Sequence, residues 1–460
     1  MATLSVDDPF TLETAVTVEL SDEAQGRGVL ERSREAFEKF RRTSIEERIA
    51  LVEKAMQAME KRKDEIALDI SKMMGKPVSQ GLNEVAGMAG RARHMASIAK
   101  ESLRDVVVPK DGFDRRIVKE PLGVVLDLPA WHYPLLTAIN VVAPAILAGN
   151  SVVVKHSPRS PLCGMHFARA FAEAGAPNDL VQALDCDHPT TERLVGSGLV
   201  DHVVFTGSVF GGHRIQEAAA KQFLHVGLEL GGNDAAYVAA DADLAKAVEN
   251  IVDGCIYNAG QSCCAVERIF VHEKLYDAFV AACEPLVRAY VIGDPKDDKT
   301  TLGPVAQPHH VRELEAMVLD AKGRGARLVA GGRSTQVDGK GRFFEATLLV
   351  DVAPEARLMR QESFGPLVVV AKVSSDEEAL ARMNDSELGL TASVWTTDAA
   401  LAERMARDLD VGTVYMNRCD SVDPALPWVG AKSSGRGHSL SALGFDQLTR
   451  PKSLHFRLHY

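Results

Sequence analysis

Short apolar runs alternate with helix-length stretches along this 460-residue chain, and that alternation limits the fold more than any other feature. Val124 to Leu128, Ser151 to Lys155 and Val203 to Phe205 read as strands, with one helix running through Ile146 and another from about Leu162 to Ala174. Parallel strands need crossover connections, and helical crossovers cover both faces of a sheet. The chain is therefore predicted to be α/β, with a doubly wound, mostly parallel sheet that binds nucleotides at the carboxyl ends of its strands. After Gly232 the pattern repeats. Tyr237 to Val238 and Ile269 to Val271 read as strands, Asp241 to Tyr257 and Glu273 to Tyr290 as helices, and 291–345 as loop-rich.

Ahead of the first strand, residues 20 to 75 read as helical. Ser44 and Glu47 form a capping box, Ile49, Val52, Met56 and Met59 share one face, and Gly75 and Pro77 end the pattern. The methionines on that face read as core packing. From Asp105 to Glu120 the pattern turns extended, with a Lys110 to Gly112 turn between Val106 to Val108 and Arg115 to Val118, as in a hairpin.

Composition removes several classes of function. At 46% hydrophobic residues the chain can bury a large core, and a net charge of -11 without basic runs argues against nucleic acid or an anionic membrane as partner. The seven cysteines form neither a disulfide framework nor paired metal-ligand spacings, so no metal is expected and a reducing compartment is. Met1 to Phe10 lacks the basic start and apolar core of a secretory signal. Pro134 to Ala148 is too short to span a bilayer and contains Asn140 and Pro144. A soluble, cytoplasmic protein is expected.

Chemistry concentrates in Asn258 to Arg268. A cysteine nucleophile works as the thiolate and gains from flexible backbone and from an N–H that can hold an oxyanion; Gly260 and Cys263 supply both. Upstream, Glu229 lies in Leu228, Glu229, Leu230, Gly231, Gly232, a carboxylate in an apolar neighbourhood beside paired glycines. Partial burial there would lift its pKa toward that of a general base. Phe205 to Gly212 carries small residues where a strand feeds a helix, so a phosphate could approach the helix N-terminus.

Glu-Leu-Gly-Gly and Gly-Gln-Ser-Cys at this separation resemble the aldehyde dehydrogenase superfamily. Its other motifs follow in order at Pro129 to Pro134, Lys155, Phe205 to Ser208, Glu362 to Pro366, Asn384 to Leu390 and Pro427 to Gly435. The resemblance implies oxidation of a small-molecule aldehyde to the acid with NAD or NADP, through a thiohemiacetal and thioester on Cys263, with Glu229 activating the hydrolytic water. It implies a Rossmann-like cofactor domain over 1–104 and 121–231, a second α/β catalytic domain over 232–430, and a small β oligomerisation arm over 105–120 and 447–460. A homodimer or homotetramer follows from the arm.

For the cofactor the resemblance implies Lys155 at the adenosine ribose, Ser208 with Gly207 and Gly212 at the pyrophosphate, Glu362 at the nicotinamide ribose, and Phe364 and Trp131 beside the nicotinamide. Two positions depart from the family. Pro158 stands where many NAD-preferring members carry a glutamate, and Arg159 follows it, which admits a 2′-phosphate and hence NADP. His132 replaces the asparagine that donates to the oxyanion, so a catalytically weakened member is one alternative to full activity. A CoA-acylating relative is another, against which Glu229 argues. No arginine falls at the tunnel positions the motifs locate, so a carboxylate-bearing semialdehyde lacks an anchor. Asp420 and Asp423 would favour a cationic aldehyde or merely cap a loop.

Overall fold

The computed structural model describes residues 2–459; Met1 and Tyr460, which bound the expected first unit and the expected arm, lie outside the described residues. A six-stranded sheet runs in the order Gly435–Arg436, His225–Glu229, His202–Thr206, Val124–Leu128, Ser151–Val154, Val181–Ala183. All neighbours are parallel except Gly435–Arg436, which pairs antiparallel along the Glu229 edge. From Val124–Leu128 the chain winds outward through two strands, then returns to place His202–Thr206 on the other side. The order reverses there, and loops leaving the two strands diverge and open a crevice.

The second sheet has seven strands in the order Arg327–Ala330, Thr347–Val350, Leu367–Val373, Val266–His272, Asp234–Val238, Thr391–Trp395, Thr413–Met416. Its central strands are buried along their whole length, which is why they read as continuous apolar runs. The stretch 291–345, expected to be loop-rich, contains the helix His310–Gly323, the strand Arg327–Ala330 and a hairpin of Ser334–Val337 with Lys340–Phe344. Glycines at positive φ, among them Gly331, Gly332 and Gly339, break this region into pieces too short for a clear period.

The expected helical region resolves into Glu23–Phe40, Ile45–Lys61 and Lys63–Met74. Ser44 and Glu47 form the capping box, and Gly75 closes the last helix at φ 83°. The helical pattern then resumes in the 25-residue helix Val78–Ser102, which was not anticipated. Pro77 had read as a stop. It is the N-cap residue, ahead of the turns in which proline would remove a needed N–H. An N-terminal hairpin, Ala2–Asp7 with Thr14–Leu20, was equally unanticipated.

The hairpin expected near residues 105–120 is Val106–Val107 against Phe113–Pro121, extended by Thr449–Arg457 into a three-stranded antiparallel sheet. It leaves Val106, Val107, Ile117 and Phe456 exposed. The apolar segment Pro134–Ala148 is a buried helix, and among the described residues no helix is long and apolar enough to cross a membrane.

Candidate active site

At the carboxyl ends of the first sheet lies a cleft of about 600 Å³, opening where the strand order reverses. Trp131, Lys155, Gly207, Ser208, Glu362 and Phe364 all line it. The helix Val209–Ala219 points its N-terminus at the cleft, with Ser208 as N-cap accepting from the Gly211 N–H at 3.1 Å. Free N–H groups in such a first turn suit a phosphate. Gly207 is needed for close packing, because a Cβ there would lie 2.6 Å from the Phe205 ring. Gly212 serves differently from expectation: it is buried against Leu230 and does not reach the cleft wall.

Glu362 accepts from the Gly232 N–H at 3.1 Å, and burial raises its carboxyl well above the usual range. Its loop is fixed by Glu267, a buried carboxylate that accepts from the N–H groups of Ser363 and Phe364 and from the amide of Asn233. Sequence reasoning missed Glu267, although it lies inside the motif that was singled out. The size of the cleft, the helix N-terminus at its floor and the carboxylate and ring at its inner end fit a nicotinamide dinucleotide.

Arg159 is a correction. Its guanidinium is buried and turned away from the cleft, ion-paired with Asp7 and donating to the Asp7 carbonyl at 2.6 Å. Asp7 comes from the unanticipated N-terminal hairpin and is held by Arg342 as well, so its carboxyl falls to about 2. Pro158 does line the cleft, so the absence of a repelling glutamate stands while the guanidinium contact does not.

The nucleophile loop begins with three successive residues at positive φ, Asn258, Ala259 and Gly260. Such a tight reversal needs support. The Asn258 amide donates to the carbonyls of Gln261 at 2.7 Å and His132 at 3.0 Å, and the Gln261 side chain accepts from the Ala306 N–H at 2.8 Å. Cys263 is half-buried and lines both the cofactor cleft and a second cavity of about 280 Å³ on its other side. Cys264 is buried, donates to Asp420 at 3.0 Å, and is raised well above an ordinary thiol by its contact with Cys263 and by burial. Of the seven cysteines, Cys263 alone lines both cavities.

Glu229, His132 and Thr206 line both cavities with Cys263. Burial pushes the Glu229 carboxyl up to about 7; the Ser439 hydroxyl, donating at 2.5 Å, and the charge of Arg91 limit the rise. His132 is buried, its Nε2 has no hydrogen-bond partner among the described residues, and burial with the nearby Lys76 charge lowers it to about 3. Burial thus favours the neutral imidazole, which offers one N–H.

Two basic residues escaped the sequence reading. Lys76 is fully buried, ion-paired with Glu84, and donates to the His132 carbonyl at 2.9 Å, while Glu84 accepts from the Leu135 N–H at 2.8 Å. This pair ties the helix Val78–Ser102 to the His132 loop. Arg91, from the same helix, enters the second cavity, where an arginine had been judged absent. It stands one turn after Met88 and one turn before Met95, inside the apolar stripe, and that spacing was the available signal. Asp420 also lines this cavity, whereas Asp423 caps a turn at the Ala425 N–H.

The model of the aldehyde dehydrogenase family matches residues 2–454. An aldehyde dehydrogenase of Paenarthrobacter nicotinovorans is 36% identical over 97% of this chain and 98% of that protein. A succinate-semialdehyde dehydrogenase [NADP(+)] of Deinococcus radiodurans is 34% identical over 97% and 93%. Among solved structures, lactaldehyde dehydrogenase from Escherichia coli superposes with a TM-score of 0.95 at 30% sequence identity, covering 99% of this chain and 96% of that one. Matches that run almost end to end in both sequence and backbone carry the assignment: this chain belongs to the aldehyde dehydrogenase family and oxidises an aldehyde to the carboxylic acid with NAD or NADP.

Proposed function

We propose that Cys263 is the nucleophile, Glu229 the general base for hydrolysis and His132 the oxyanion donor. The observation that supports this most directly is the position of Cys263 at the junction of two cavities, one of cofactor size and one leading to substrate, with Glu229 and His132 beside it. The Cys263 sulfur bonds to the aldehyde carbon, and the imidazole N–H of His132 holds the oxyanion of the resulting thiohemiacetal. NAD(P), when bound, supplies the acceptor for the aldehyde hydrogen. Glu229 takes a proton from water, which attacks the thioester carbon, releases the Cys263 thiolate and leaves the acid. A carboxyl near 7 suits that step at neutral pH. Lys155, Ser208, Gly207, Glu362, Phe364 and Trp131 bind the cofactor, and Gly212 acts by letting the helix pack.

We assign the cofactor domain to 1–104 and 121–231, the catalytic domain to 232–430 and the oligomerisation arm to 105–120 and 447–460, with a homodimer or homotetramer as the working form. Seven free cysteines suit a reducing, cytoplasmic setting. The test is Cys263→Ala, which should abolish aldehyde oxidation while the cofactor still binds, with Cys264→Ala remaining active. More than a few per cent of normal turnover in Cys263→Ala would sink the assignment.

A further inference from the structure

The substrate-side cavity holds a guanidinium that no carboxylate closes off. Arg91 is half-buried, and its Nη1 donates to the Asn140 side-chain oxygen at 3.0 Å and the Leu136 carbonyl at 3.4 Å, both neutral acceptors. It makes no ion pair among the described residues. An arginine stays protonated, and a half-buried charge without a direct ion pair favours an anionic ligand.

The carboxylates around the cavity make their hydrogen bonds elsewhere, although Glu229 and Asp420 feel the Arg91 charge through space. Glu84 is closed off by Lys76 and the Leu135 N–H, and Glu229 takes the Ser439 hydroxyl. Asp253 faces Tyr290, and Asp420 accepts from Cys264 and Ser262. Arg91 therefore presents nitrogens to the cavity in the planar fork that matches a carboxylate. Leu136, Val422 and Trp428 supply apolar wall for the chain between the two ends of a substrate.

We propose that Arg91 receives a carboxylate carried by the substrate, so that the enzyme acts on short aldehydes with a negative charge at the far end in preference to uncharged aldehydes of the same length. Anchoring that end brings the aldehyde carbon to Cys263 in a repeatable pose. A cationic aldehyde held by Asp420 would place a second positive charge in the cavity with Arg91, a repulsion that burial strengthens. The proposal rests on Cys263 being the nucleophile.

The test compares 4-oxobutanoate with butanal. Wild-type enzyme should favour 4-oxobutanoate by about a hundredfold in kcat/KM, and in Arg91→Gln that ratio should collapse toward about unity, with the selective loss on 4-oxobutanoate lying mostly in KM. Equal wild-type efficiency on the two aldehydes overturns the proposal, and so does an equal loss on both in Arg91→Gln, which would show that Arg91 acts on the thiol or the base. Should Arg91→Gln not fold, the wild-type enzyme decides alone. Succinate, added without cofactor, should slow alkylation of Cys263 by iodoacetamide more than butanol does, and equal protection overturns the proposal. No turnover of any aldehyde would instead fail the reading of Cys263 as nucleophile.

Discussion

At the residue scale, three side chains of the proposed site each make a separable prediction. Glu229→Gln should give a burst of reduced cofactor close to one per subunit and then a poor steady state, because acylation survives and hydrolysis does not. A missing burst in stopped-flow absorbance would place Glu229 before the first chemical step. As the proposed base, Glu229 would act in its carboxylate form, so the hydrolytic rate should rise with pH through about 7. Ser439→Ala removes a donor that favours the charged form, so the same profile should move to higher pH with the burst unchanged. His132→Ala should lower kcat by about 10² to 10³ with cofactor affinity retained. If the imidazole were not a donor, that change would cost little, and the weakened-enzyme alternative would hold. That Cys263 and Glu229 face common cavities could be anticipated because each sits in a contiguous run whose local chemistry is visible. Arg159 was misread because its direction is set by Asp7, far away in sequence.

Among the elements, the helix Val78–Ser102 does more than cover a sheet. Through Glu84 it holds the start of Pro134–Ala148, and with Lys76 it holds the His132 carbonyl, so the loop that carries His132 hangs on an ion pair buried at 0%/1% exposure. Removing one partner of such a pair costs on the order of 3–5 kcal/mol. Lys76→Met should therefore lower the calorimetric transition temperature and slow turnover together, while Lys76→Met with Glu84→Gln should regain part of the stability. A single variant as stable as wild type would show that the pair holds nothing. The alternating strands of the first sheet could be read from their apolar runs, whereas this helix was lost behind Pro77. Its catalytic contacts are tertiary, and no local period announces them.

In the whole molecule, the three-stranded sheet exposes an apolar face through Val107 and Phe456, each more than half exposed. On a small sheet that burden calls for cover by another copy. Val107→Glu with Phe456→Glu should lower the mass measured by light scattering to that of one chain, and an unchanged mass would remove the arm from the assembly. The residues showed the hairpin and its turn; that it meets the C-terminal segment came only from the family resemblance, because Thr449–Arg457 lies at the other end of the chain and no local pattern links them.

The two cavities share Cys263 in their walls, and the second reaches Leu136, Val422 and Trp428, which the dinucleotide cleft does not touch. If Cys263 carries the acyl group as proposed, an acid leaving past those residues would not cross the dinucleotide cleft, and the cofactor could be exchanged on one side of the shared wall while the acyl group stays attached on the other.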